Sequence, residues 1–298
     1  MSAASRRKTI VLIPTRDRPG YLALTVRSVL EQASRFGHNV EVVVSDKSRP
    51  GKARVNAEML RKLSTRFGLP VHYYGCREWK AFERELTTHP NAPEFSRQLL
   101  FRLAPYNGHW GAHRNQLALQ AVFHGGRNAD YLHLDDDTPM LELKDGRLRP
   151  HDKDVFGALK RQLDAKKERG VRGFAASLIG VRDVQVSAGC DEESNRGLKD
   201  SLAKPDVLPL PGGPGRFFLF TAMRVPYSAL GYGEDVMHSN LNGLYTRAVE
   251  DPAVFVHIGV KGRTFRRAAE FNLSVPDEIP RWMELIDFAA GLHGKARK

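Results

Sequence analysis

"TIVLIPTRDRPGYLALTVRSVLEQASRFGHNVEVVVSD" (residues 9–46) carries the pattern on which the fold turns. Thr9 to Thr15 is a continuous apolar run that stops at Pro14 and Thr15, as in a strand covered on both faces. After the turn at Arg16–Gly20, Leu22, Val26, Val29, Leu30, Ala33 and Phe36 recur at helical spacing. Residues 39–46 form a second apolar strand. Residues 51–68 read as a second helix closed by Gly68, and 70–75 as a third strand. Strands and helices that alternate in this way predict right-handed crossovers and a parallel sheet.

Further along, residues 76–108 are less regular and predict two short helices around prolines. A helix runs from Gly111 to Gly125-Gly126, and a fourth strand spans 130–137. Residues 142–149 suit a hairpin around Asp145-Gly146, 154–169 an amphipathic helix, and 173–181 another strand. The stretch 189–215 is rich in Gly, Pro and charge, a length of loop that usually serves function or stays disordered. Order is expected again at 216–223, in a helix after 231–235, in a strand at 253–259 and in a helix near 280–292. The expected fold class is α/β. A Rossmann-like nucleotide-binding half with a mostly parallel central sheet (8–140) would be followed by a mixed-sheet half (141–298) able to hold a second substrate.

The formal net charge of +12 suits an anionic partner or plain solubility. The basic residues are scattered, and there is no zinc finger, homeodomain-like helix or aromatic-rich RNA-binding strand, so nucleic acid is not the expected partner. Two cysteines, Cys76 and Cys190, supply no disulfide framework. No stretch has the length and apolarity of a membrane span, and the opening residues lack a secretory leader pattern. A cytoplasmic location is the expectation.

In an open parallel sheet, ligands bind outside the carboxyl ends of the strands. Strand one ends at Pro14-Thr15-Arg16-Asp17, strand two at Ser45-Asp46-Lys47-Ser48, and strand four at Asp135-Asp136-Asp137. Three successive carboxylates repel one another unless a cation neutralises them, and oxygen ligands are what Mn²⁺ or Mg²⁺ prefer. A solvated turn or a helix cap with surplus charge is the alternative.

The run GAHRNQLALQAV…NADYLHLDDD resembles the central signature of family 2 glycosyltransferases of the GT-A fold. That signature is a Gly-x-x-Arg-Asn helix followed by an apolar strand ending in Asp-x-Asp. Residues 11–32 are similar to the family's first strand and helix, and 42–48 to its second strand, with Ser45 where the family often has a further acid. The resemblance implies a hexosyltransferase that moves a sugar from a UDP- or GDP-sugar, with Mn²⁺ or Mg²⁺, to an acceptor, with inversion; the lack of a membrane-spanning stretch makes a soluble small-molecule or peptide acceptor the expectation. Pro14, Thr15, Arg16 and Asp46 would hold the nucleoside, Arg114 the phosphates or sugar, Asp135 and Asp136 ribose or water, and Asp137 the metal. Arg16 as a surface turn residue and Arg114 as an internal ion-pair partner are the alternatives.

The Glu234-Asp235 pair after two glycines is consistent with a helix cap. In the resembled family an acidic pair here faces the acceptor, which makes Asp235 the candidate base and Glu234 its neighbour. His257 is either a core histidine or, as several GT-A enzymes have it, a second metal ligand, followed by a basic loop at 261–267. His109, Trp110 and His113 are possible donor or acceptor contacts. The rival expectations are a retaining enzyme of the same fold, a sugar nucleotidyltransferase, and a basic nucleic-acid-binding protein whose acid cluster is structural.

Overall fold

Every residue of β1 (Thr9–Thr15) and β2 (Val40–Asp46) is buried, as unbroken apolar runs require of strands covered on both faces. They pair in parallel, from Thr9 beside Val40 to Thr15 beside Asp46. In this computed structural model, residues 7–107, 110–144, 147–167, 173–175, 178–180, 216–227, 255–257 and 275–293 are described. β3 (Val71–Tyr74) extends the sheet beyond β2, and β4 (Asp130–His133) lies parallel on the far side of β1. The order β3-β2-β1-β4 puts the reversal of strand order between β1 and β4, the place in an open sheet whose carboxyl-end crevice takes ligands.

The sheet then becomes mixed. β9 (Arg216–Leu219) pairs antiparallel with β4, and β7 (Gly173–Ala175) antiparallel with β9. β5 (Leu141–Lys144) and β6 (Arg147–Pro150) form the expected antiparallel pair. β8 (Leu178–Gly180) and β10 (Phe255–His257) form a separate two-stranded parallel sheet. The fold class is thus the expected one.

Helices cover both faces. α1 (Pro19–Phe36) carries Pro in its first turn and stops at Gly37, whose φ of 68° is one that glycine adopts without strain. It packs Leu22, Val26, Val29 and Leu30 onto Val11, Ile13, Val42 and Val44, with α6 (Val155–Lys167) alongside. On the other face α3 (Cys76–Thr88), α4 (Ser96–Leu103), α5 (Trp110–Gly125) and α8 (Val275–Gly291) share a core with Ile10, Leu12, Val43 and Tyr131. α5 is buried along most of its length and runs close to the sheet. A Cβ at Gly125 would come within 2.7 Å of Ile10 Cγ1 and 2.8 Å of Tyr131 Oη, so that approach requires glycine. α2 (Pro50–Phe67) buries only Asn56 and Leu60 and forms an outer layer. No described helix is long and apolar enough to cross a membrane.

Three boundaries differ from the sequence expectation. β4 stops at His133 instead of reaching 137, because the aspartates form a turn. Residues 173–181 divide into β7 and β8, which join different sheets. The strand at 216 gives way after Leu219 to a helical turn, α7 (Phe220–Met223). The 189–215 stretch lies outside the described residues, as do Glu234, Asp235 and the segment 261–267.

Candidate functional site

Thr15, at the end of β1, ties the crevice together. Its Oγ1 donates to Asp136 Oδ2 at 2.7 Å, and its carbonyl accepts from the Lys47 N–H at 3.1 Å. One residue therefore joins the ends of β1 and β2 to the turn after β4. In that turn Thr138 Oγ1 accepts from the Asp135 N–H at 2.8 Å, and the Thr138 N–H donates to the Asp135 carbonyl at 3.2 Å. Thr25 of α1 donates to the Asp136 carbonyl at 2.8 Å and fixes the turn from behind.

The carboxylates of this turn find partners that are distant in sequence. Arg18 Nη1 lies 3.0 Å from Asp137 Oδ2 and 3.4 Å from Asp136 Oδ1, and Arg114 Nη2 lies 3.1 Å from Asp135 Oδ1. Asp136 and Asp137 are each only 5% exposed. Burial, with Asp137 and Asp135 adding to it against Thr15 and Arg18, pushes the Asp136 carboxyl up to about 7. Three clustered carboxyl groups supply the hard oxygen donors that fit a divalent cation.

Positive charge lies on the other side of Thr15. Lys47 Nζ is buried with no hydrogen-bond partner, 5.8 Å from the centroid of the Tyr106 ring. Burial, and then the neighbouring Arg16, pulls this ammonium down to about 7. An unpaired buried cation is costly, and an anionic ligand would remove that cost. His113, buried at the start of α5, has Nε2 3.0 Å from both the carbonyl and the hydroxyl of Ser45. Burial, then Lys47, holds its imidazole well below the usual range, so it stays neutral. Trp110 stacks beside His113 with ring centroids 6.0 Å apart and is 39% exposed.

Below these groups the loops are clasped rigidly. Asp46 accepts from the Ser48 N–H at 2.7 Å, Asn56 Nδ2 at 2.8 Å and Tyr73 Oη at 2.9 Å. Asp17, with the left-handed φ of 59° that non-glycine residues seldom adopt, accepts from the Arg49 N–H at 2.9 Å. Its own N–H donates to Ser48 Oγ at 2.6 Å, which locks the β1 loop to the β2 loop. Arg114 extends the network: Nη1 lies 2.6 Å from His133 Nε2, and His133 Nδ1 lies 3.0 Å from Tyr227 Oη. Tyr227 brings the second half of the chain to the crevice wall.

The structure therefore brings together Thr15, Asp135, Asp136, Asp137 and Arg114. Pro14 is buried in β1, Arg16 is exposed at the rim, and Asp46 sits in the clasp beneath. Glu234, Asp235 and His109 lie outside the described residues. His257 closes β10 with its backbone opposite Gly180, and its side chain is outside the described set. Sequence reasoning missed Arg18 and Thr25, and it placed Lys47 at the polar end of β2 facing the crevice without giving it a role.

No protein-family model matches this chain, and no curated protein does. Solved structures with a similar chain course include glucosyl-3-phosphoglycerate synthase from M. tuberculosis, with 14% identity over 97% of this chain and 82% of that one and a TM-score of 0.41. The mannosyltransferase PcManGT from Pyrobaculum calidifontis, in complex with GDP-Man and Mn²⁺, shares 15% identity over 95% and 74% of the chains, with a TM-score of 0.46. Mannosyl-3-phosphoglycerate synthase from Rubrobacter xylanophilus shares 16% identity over 98% and 76%, with a TM-score of 0.39.

Proposed function

We propose that the crevice binds a nucleotide-sugar together with a divalent cation, and that the chain is a GT-A-type glycosyltransferase. The observation that carries this is the opposition of charges around Thr15. On one side stand three clustered aspartates, on the other a buried ammonium without a hydrogen-bond partner among the described residues. A metal diphosphate answers both: its cation suits the acids, and its phosphates suit Lys47 with Arg16.

Asp136 turns inward to Thr15, which leaves Asp137, with Asp135 beside it, as the ligands for Mn²⁺ or Mg²⁺. When bound, such an ion supplies Lewis-acid stabilisation of the charge that develops on the leaving diphosphate. The chain's own residues do the rest. Lys47 and Arg16 add positive charge where the leaving group gains negative charge, and the burial of Lys47 Nζ strengthens its share of that effect. Arg114, held by His133 and Asp135, orients the Asp135 carboxylate. Asp46 shapes the β2 loop against which the nucleoside rests. Trp110 offers an exposed ring at the mouth of the crevice.

Asp235, with Glu234, remains the proposed base that takes the acceptor's proton, giving inversion at the sugar. Within hydrogen-bond reach of the acceptor, such a carboxylate contributes typically ~10²–10⁴-fold. The test is an assay of Mn²⁺-dependent nucleoside diphosphate release from a panel of UDP- and GDP-sugars, with small-molecule and peptide acceptors. Asp235→Asn should keep donor binding and lose transfer. Undiminished transfer by that variant would place the base elsewhere, and no release from any sugar nucleotide would overturn the proposed activity.

A further inference from the structure

We infer that Glu41, His72 and His124 form a second metal site, for a divalent ion of the zinc, cobalt or nickel type, at the end of the sheet opposite the crevice. Glu41 lies one residue into β2, His72 one residue into β3, and His124 in the last turn of α5. The parallel register sets Val43 beside His72, so Glu41, Val43, His72 and Tyr74 share the face that α5 covers. One ligand atom from each of Glu41, His72 and His124 lies within 4.8 Å of the other two.

The surroundings resemble a ligand shell more than a chance ion pair. Glu41 Oε2 lies 2.9 Å from His72 Nε2, and Glu41 Oε1 lies 2.7 Å from Lys8 Nζ. Tyr74 Oη lies 2.7 Å from His124 Nε2, and Lys8 Nζ also donates to the His124 carbonyl at 3.3 Å. The two imidazoles stack with centroids 3.6 Å apart and planes 15° from parallel. Burial alone would raise the Glu41 carboxyl, but hydrogen bonds from His72 and Lys8 hold it down at about 2.

Imidazole nitrogens and a carboxylate oxygen are donors that such ions take. Two nitrogens and one oxygen are also the three-ligand set of open zinc sites, with bonds of about 2.0–2.2 Å. Lys8 and Tyr74 orient the ligands from outside, as partners of metal-bound side chains do. The His72 side chain is 25% exposed, which gives the ion a way in. Softer nitrogen donors separate this site from the all-oxygen donors of the crevice, where Mn²⁺ or Mg²⁺ is favoured. Nothing in this inference depends on the proposed transferase activity. An ion here would bind β2, β3 and α5 together.

The experiment uses the full chain without a histidine tag, stripped with chelator and titrated with Co²⁺ by visible absorption and with Zn²⁺ by calorimetry. The expected result is saturable binding with the strong visible bands of low-coordinate Co²⁺. Binding should weaken at least ~10-fold in His72→Ala and in His124→Gln, and persist in Asp137→Ala. If His72→Ala does not fold, His124→Gln, at a partly exposed helix end, carries the comparison alone. Absence of saturable binding by the wild-type chain would overturn the site. So would undiminished binding in His124→Gln, or loss of the Co²⁺ bands in Asp137→Ala.

Discussion

Asp136 and Glu41 are both buried carboxylates on one sheet, at opposite ends, and their protonation moves in opposite directions. Asp136 is pushed up to about 7 by burial among two further aspartates. Glu41 suffers the same burial, yet contacts with His72 and Lys8 hold it down at about 2. Burial raises both carboxyls; at Glu41 the cationic neighbours outweigh it, and at Asp136 neighbouring aspartates add to it. At the crevice three acids cluster, and on the other side Lys47 Nζ is buried with no hydrogen-bond partner among the described residues. At the opposite end the carboxylate meets an ammonium and an imidazole. The proposed charged ligand belongs to the first arrangement, while the second offers a nitrogen-rich donor set.

Several substitutions would break or sharpen this contrast. The largest effect is expected from Asp137→Ala, which should lower Mn²⁺-dependent turnover of a sugar nucleotide by at least ~100-fold, or ~2.7 kcal/mol. Circular dichroism should show the fold unchanged. Next comes Lys47→Met. It should weaken nucleoside diphosphate binding by ~10–100-fold, measured by calorimetry, while leaving thermal stability equal or higher, because an orphaned cation is removed. A loss of stability with unchanged affinity would mean that Lys47 is structural.

Thr15→Val should destabilise the fold by ~1–2 kcal/mol in urea, since it keeps the shape but leaves Asp136 without its nearest donor. The smallest effect is a pH dependence. The folded-state value of Asp136 lies above its ordinary 3.8. Its stability cost is therefore absent at pH 3.8 and below, grows as pH rises toward 7, and is complete above that. Asp136→Asn should melt higher than the wild type at pH 8, with the advantage gone near pH 4. A constant difference across that range would show that the carboxyl is not perturbed.

Much of this was readable from the chain. β1 and β2 are unbroken apolar runs because both their faces are covered, and periodicity identifies α1; α5, buried nearly all round, shows no such stripe and is bounded in sequence by its glycines. β4 was overextended because an apolar lead-in followed by aspartates looks like a longer strand, whereas Thr138 closes a turn on Asp135. β7 and β8 looked like one strand because sheet membership is set by partners more than 35 residues away in the chain. The same holds at the site. The three aspartates were visible as a cluster, but Arg18 and Arg114, which partly neutralise them, come from distant segments. Glu41, His72 and His124 carried no local signal, because three separate elements assemble them.

Calorimetric titration of UDP and GDP into the chain, with and without Mn²⁺, tests the central claim most directly. Opposed charges around Thr15 predict saturable binding of at least one diphosphate, stronger by ~10-fold or more with Mn²⁺ and lost in Asp137→Ala. Equal binding with and without the metal, or no binding by the wild-type chain, would contradict it.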